Sequence, residues 1–95
     1  MSIAYVGQSH AKSSESDRLR EFLLSVVQPA VRSSSGCESC LMLQSEDDPT
    51  RFIGIEVWTS IEAHRASITN IPAESIREFV KLVAAPPTGG YYRTL

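Results

Sequence analysis

The sequence predicts an α+β chain of the ferredoxin-like kind: order βαββαβ, a four-stranded antiparallel sheet, and helices on one face of it. Three observations carry this. A long apolar stripe of helical period, at Leu19, Phe22, Leu23, Val26, Val27 and Ala30, follows a short β-rich opening. Two extended runs, 37–44 and 51–59, are joined by the turn-forming SEDDPT. A second helical region and a final short strand complete the order.

Ile3 to Gln8 reads as the first strand, being short and apolar with β-branched and aromatic members. Ser14 with Asp17 three residues later resembles a helix start, and Glu15 and Asp17 suit the positive end of the helix dipole. Pro29 lacks an N–H and crowds the preceding turn, so the first helix is expected to kink or end near it. Ser33-Ser34-Ser35-Gly36 is a turn. Strand two is CESCLMLQ, and strand three runs from Arg51 to Thr59. In strand three Ile53, Ile55 and Val57 share one face, and Phe52, Gly54, Glu56 and Trp58 the other.

Ser60 with Glu62 opens a helix, SIEAHRASIT, whose Ile61, His64 and Ile68 share a face. Asn70 to Pro72 breaks this region, and Pro72 suits the first turn of a further helix striped by Ile76, Phe79, Val80 and Val83. Pro86-Pro87 stops it, and Gly89-Gly90 leads to a last strand over 91–95.

Ninety-five residues make one domain, 1–95, with a core that gains from burial against a second subunit. Strand three is apolar on both faces, so the open sheet face needs a cover. A second copy is the simplest one, which implies a homodimer through that face. The net charge of -2 and the scattered positive residues argue against nucleic acid or an anionic membrane as partner. No apolar run approaches the length of a membrane span, and the opening residues lack the pattern of a signal peptide. The cytoplasm is the expected compartment. Cys37 and Cys40 form a C-x-x-C on a strand, where i and i+3 point to opposite faces, so redox and metal roles are not expected. Glu46, Asp47 and Asp48 lack a calcium-loop spacing.

Gly36-Cys37, the SEDDP turn, Glu56-Val57-Trp58 and Ser60-Ile61-Glu62-Ala63, in this order, resemble the antibiotic biosynthesis monooxygenase family. The resemblance covers nearly the whole chain. It implies a dimeric α/β barrel, two ferredoxin-like sheets packed face to face, with a pocket between each sheet and its own helices. It also implies a small oxygenase that attacks an aromatic, phenolic or quinol substrate with O2 and neither metal nor flavin. Some relatives degrade haem instead, with a His about nine residues after the Trp as iron ligand. Here that position is Ser67, so the haem reading loses its ligand. The usual Asn on strand one is also missing.

The candidate site residues follow. Glu56 and His64 are the candidate proton acceptors, because oxygenation without a cofactor needs the substrate as an electron-rich anion. Trp58, Ser67 and Phe22 are the candidate binding residues. Each has an ordinary alternative: Trp58 as the largest core residue, Glu56 as a structural anchor, and His64 in place of a core Leu. Tyr91 and Tyr92 alternate faces; one could supply a pocket hydroxyl, and packing is the expected role. A non-catalytic dimeric domain that binds a small hydrophobic ligand, or a stress-related module, is the alternative to the oxygenase.

Overall fold

The structure, a computed structural model, describes residues 2–95. Its elements are β1 (Ile3–His10), α1 (Ser16–Phe22), a π-helical segment (Leu23–Val27), α2 (Gln28–Arg32), β2 (Cys37–Gln44), β3 (Arg51–Trp58), α3 (Ile61–Ile68), α4 (Ala73–Leu82) and β4 (Thr88–Arg93). The strands lie in the order β2-β3-β1-β4, with every neighbouring pair antiparallel. This is the ferredoxin-like α+β fold.

Several boundaries differ from the sequence reading, each for a physical reason. Strand β1 runs two residues further, because Ser9 and His10 pair with Phe52 and Arg51 of the longer β3. Ser14 is not a cap. It takes a left-handed φ of 68° in the turn, and α1 starts at Ser16 without a side-chain cap. The helix neither ends nor stops at Pro29. It widens into a π turn over Leu23–Val27 and continues as α2 to Arg32. A wider turn ahead of the proline is one of the few ways a helix accommodates a missing donor and a bulky ring. Gly89 and Gly90 lie inside β4 rather than before it, paired with Gly7 and Val6.

Other signals act locally as the sequence implies. Ser60 caps α3, its hydroxyl accepting the Ala63 N–H at 3.1 Å. Gly36 ends the α2–β2 turn at φ 88°, a conformation other residues rarely adopt. A Cβ there would also collide with Ala63, so this glycine lets β2 pass close beneath α3.

The core lies between the helices and one sheet face. Ala11, Leu19, Leu23, Phe52, Leu82 and Val83 form one buried cluster, joined by Phe22, Val27, Met42 and Phe79. Of the stripe expected on α4, Val83 is buried, whereas Ile76 and Val80 are exposed. The opposite sheet face is uncovered, and there Leu41, Leu43, Ile53 and Tyr92 are all exposed. No helix among the described residues is long and apolar enough to cross a membrane.

The register sets three glycines in one row: Gly54 of β3, Gly7 of β1 and Gly89 of β4. Missing side chains in this row hollow the inner face of the sheet. The ring of Tyr5 leans into that space, and a Cβ at Gly89 would overlap its hydroxyl. Gly89→Ala is therefore expected to destabilise the fold by about 1–3 kcal/mol, the usual cost of overpacking. Denaturant unfolding measures it, and a change within about 0.5 kcal/mol would mean that the Tyr5 ring has room to move aside.

Candidate active site

The row next to the glycines is its chemical counterpart. Antiparallel pairing places Cys40 of β2, Glu56 of β3, Tyr5 of β1 and Tyr91 of β4 side by side on the inner face. Alternation along β3 puts Trp58 on that face too, two residues beyond Glu56. Its indole N–H donates to Glu56 Oε1 at 3.0 Å. Helix α3 lowers His64 onto this row. The imidazole stacks on Tyr5, ring centres 4.1 Å apart, and meets Trp58 and Tyr91 edge-on. His64 Nδ1 lies 2.7 Å from the Tyr91 hydroxyl, and Nε2 lies 3.8 Å from Glu56 Oε1.

A cavity of about 520 Å³ opens between the sheet and the helices. Its floor is Gly7 and Gly54, its far wall Phe22 and Phe79, and its mouth Ile71 and Ile76. Glu56 borders it and is the only Asp, Glu, Lys, Arg or His to do so among the described residues. Tyr5 and Ser67 also border it. A second hollow, of about 570 Å³ near Gln8, Leu43, Arg51 and Pro86, contains none of Glu56, His64, Trp58, Tyr5 or Tyr91.

The five candidate residues thus divide. Phe22, Glu56 and Ser67 line the cavity. Trp58, wholly buried, and His64, 5% exposed, stand behind Glu56 and Tyr5 and do not border it. The Ser67 hydroxyl donates to the His64 carbonyl at 2.6 Å, so it closes a bond within its own helix. Tyr5 is the member that sequence reasoning missed, and Tyr91, weighed there as a pocket hydroxyl or a packing residue, bonds to His64 and does not border the cavity. Their signal was the strand register, which aligns both with Glu56 and which alternation within a single strand does not reveal.

Burial sets the protonation of the site. It pushes the Glu56 carboxyl above the usual carboxylate range, and the Trp58 hydrogen bond offsets this only in part. Burial, and after it the Arg65 guanidinium, pushes the His64 imidazole down. Both shifts disfavour the charged forms, so the 3.8 Å approach is the contact of a neutral imidazole with a carboxyl group and not an ion pair. Tyr5 is pushed up by burial, then by the nearby Glu56 and Tyr91.

The cysteines correct one sequence expectation. A bulge between Cys37 and Ser39 shifts the register, so that Cys37 falls opposite Trp58 and Cys40 opposite Glu56, on one face rather than two. Both are free thiols. Burial and the Glu56 charge push Cys40 up to about 11, which keeps it protonated and unreactive near neutral pH. No cluster of three or more His, Cys, Asp or Glu suited to a metal occurs among the described residues.

The chain matches known proteins at two levels. The sequence profile of the family described as "Antibiotic biosynthesis monooxygenase" matches residues 2–70. Among solved structures, SnoaB from Streptomyces nogalater, a cofactor-independent oxygenase, superposes with a TM-score of 0.83. It is 14% identical, with 99% of this chain and 93% of that one covered. Rv0793 from Mycobacterium tuberculosis gives 0.82 at 18% identity, covering 100% and 96%. A Chloroflexus aurantiacus protein, provisionally named as an antibiotic biosynthesis monooxygenase, gives 0.77 at 26% identity, covering 99% and 95%. No curated protein matches the sequence.

The protonation shifts have a sign that stability measurements read. Glu56 holds its proton more tightly folded than unfolded. Its contribution is full at low pH and is lost as pH rises from the ordinary carboxylate range through its raised value. His64 behaves oppositely, losing stability as pH falls from the ordinary imidazole range through its lowered value. Glu56→Gln keeps an oxygen for the Trp58 N–H but does not ionise. It should gain stability relative to the wild type as pH rises from the ordinary carboxylate range, about pH 4, through the raised value of Glu56. Urea unfolding followed by Trp58 fluorescence tests this, and parallel pH curves for the two proteins would contradict it.

Proposed function

The chain belongs to the antibiotic biosynthesis monooxygenase family, and from that premise we propose that it is a small cofactor-independent oxygenase. Its substrate is an aromatic phenol or quinol held between the sheet and the helices. The observation that carries this reading is Glu56: a single carboxylate on the wall of an otherwise uncharged, largely apolar cavity of about 520 Å³.

The chemistry runs from that residue. Trp58 holds Oε1 at 3.0 Å, which orients the carboxylate and leaves Oε2 for the substrate hydroxyl. Burial makes Glu56 a stronger base than an exposed carboxylate, closer in proton affinity to a phenol. Removing the phenolic proton leaves an electron-rich anion that O2 attacks at a ring carbon. Conversion of the phenol to a quinone removes one hydrogen from the ring carbon and one from the hydroxyl and adds one oxygen, a loss of four electrons. Those electrons take O2 to one carbonyl oxygen and one water, so no outside reductant is required. Phe22 supplies an aromatic wall for a flat ring system, and Ser67 supplies part of the rim. In this scheme Trp58 acts through Glu56. His64, sealed behind Tyr5, does not touch substrate.

A non-catalytic ligand-binding domain is the second reading. It is favoured by the single proton acceptor on the wall, since binding needs no second one. Haem degradation is not proposed, because this cavity wall presents no imidazole to ligate iron.

Further parts of the reading rest on the fold. Residues 1–95 act as one domain. Two copies pair through the open sheet face, where Leu41, Leu43 and Ile53 lie exposed in a contiguous set of strands. The cytoplasm is the proposed compartment, and free Cys37 and Cys40 suit its reducing conditions.

Two measurements check these statements. Oxygen uptake across a panel of phenols and hydroquinones should identify at least one substrate, with Glu56→Gln slower by about 10²–10⁴-fold, the usual contribution of a positioned base. Equal rates for the two proteins would remove Glu56 as the base, and no uptake with any member would favour the binding module. Sedimentation at micromolar concentration should give twice the chain mass, and Ile53→Lys should give the monomer. A wild-type monomer would refute the dimer.

A further inference from the structure

The oxygenase reading explains Glu56 and its Trp58 hydrogen bond. It leaves unexplained a buried imidazole that bridges Glu56 to a tyrosine on the far strand. A hydrogen bond to Tyr91 alone would satisfy the buried imidazole, yet its second nitrogen also points toward Glu56. One nitrogen lies 2.7 Å from Tyr91 and the other 3.8 Å from Glu56. The groups form a line with one gap, between Glu56 and His64. It starts at a carboxyl group on the cavity wall, crosses a ring clamped by Tyr5 at 4.1 Å, and ends at a hydroxyl on β4 whose residue is partly exposed. The Arg65 guanidinium lies 5.8 Å from the centre of the Tyr91 ring on the outer side. The titratable or charged groups facing His64 are therefore Tyr5 from β1, Glu56 from β3, Tyr91 from β4 and Arg65 from its own helix.

We propose that His64 and Tyr91 form an outlet for the proton that Glu56 takes, leading from the back of the cavity to the protein surface. The inference rests on the reading of Glu56 as the base. It answers a problem which that reading creates. A flat ligand filling the cavity separates Glu56 from water on the front side, so a proton accepted there needs another exit while the ligand stays bound.

The steps balance. The substrate hydroxyl gives its proton to Glu56 Oε2. Rotation of the carboxyl group turns the protonated oxygen toward His64. Glu56 passes that proton to Nε2, and the Nδ1 proton moves to the Tyr91 oxygen as the Tyr91 hydroxyl proton leaves to water. One proton enters the ring and one departs, so its charge is unchanged. After the product leaves, the Nε2 proton returns through Glu56 to water refilling the cavity, and Nδ1 is reprotonated through Tyr91. This restores the starting tautomer with one proton released in all. The Glu56–His64 distance of 3.8 Å lies about 0.6 Å outside hydrogen-bonding range, a gap of the kind that closes when a ligand fills a site. Tyr91 and His64 are positioning residues here: they act through Glu56.

Tyr91→Phe keeps the ring and removes only the hydroxyl. The test mixes each protein with 1,2-dihydroxyanthraquinone, a flat phenol whose anion is coloured, in oxygen-free, weakly buffered solution containing a pH indicator. The colour reports proton transfer to Glu56, and the indicator reports proton arrival in bulk water. In the wild type the two signals should rise together. In Tyr91→Phe the colour change should keep its rate and amplitude while proton release lags roughly tenfold or more. A merely structural role for Tyr91 would move both signals or neither. Proton release in step with colour in Tyr91→Phe would overturn the outlet and leave Glu56 as base untouched. Absence of any colour change in the wild type would overturn the base and the outlet together. Because oxygen is excluded, a protein that passes this test yet consumes no O2 in air would lose only the oxygenase reading.

Discussion

The pairing of β1 with β3 is the constraint on which the rest of the molecule depends. It sets Tyr5 beside Glu56 and Gly7 beside Gly54. A strand has a side-chain period of two, so a slip of one residue would send Tyr5 and Gly7 to the open face. The glycine row would then be broken and the hollow filled. The same slip would take from His64 the ring it stacks on. One register therefore creates the space for a ligand and places the acid–base groups at its edge. Strand β4 extends the pattern by adding Gly89 to one row and Tyr91 to the other.

The interior of this small domain tolerates a carboxyl and an imidazole because each is given something to hold. Glu56 accepts from the Trp58 indole, and His64 exchanges a hydrogen bond with Tyr91 while its faces and edges meet aromatic rings. A buried polar group without partners would cost several kcal/mol, and among the described residues no buried side-chain nitrogen or oxygen lacks one. Burial moves the two groups toward their neutral forms, one up and one down. Desolvation is the leading cause of both shifts, as it disfavours the charged form of either group. The cluster is held by three strands and one helix, so its geometry does not depend on a flexible loop.

The helical layer shows a different compromise. The π turn at Leu23–Val27 carries the first helix past Pro29, and Leu23, Val26 and Val27 of that turn face the cavity. Widening the helix there changes which side chains reach the ligand space, in keeping with the frequent occurrence of such turns at functional sites. The exposed apolar residues fall into two groups. Ile71 and Ile76 rim the cavity mouth, and Leu41, Leu43 and Ile53 spread over the open sheet face. The first group suits entry of an apolar ligand, and the second suits another protein surface.

Much of this was legible in the residues themselves. Alternation in 51–59 placed Phe52, Gly54, Glu56 and Trp58 on one face, the apolar stripe of 19–30 located the first helix, and the order of motifs indicated the family. These features are local, with periods of 2 and 3.6 that a single chain displays. What the residues alone did not reveal depends on pairing between distant segments. The bulge that brings Cys37 and Cys40 to one face is visible only against β3. The alignment of Gly7, Gly54 and Gly89, and of Tyr5 and Tyr91 with Glu56, joins residues up to 86 positions apart in the chain, Tyr5 and Tyr91. The place of His64 was open for the same reason. Its helix face was readable, but whether that face meets the cavity or the wall behind it is decided by the depth at which α3 seats on the sheet, and there Tyr5 comes between.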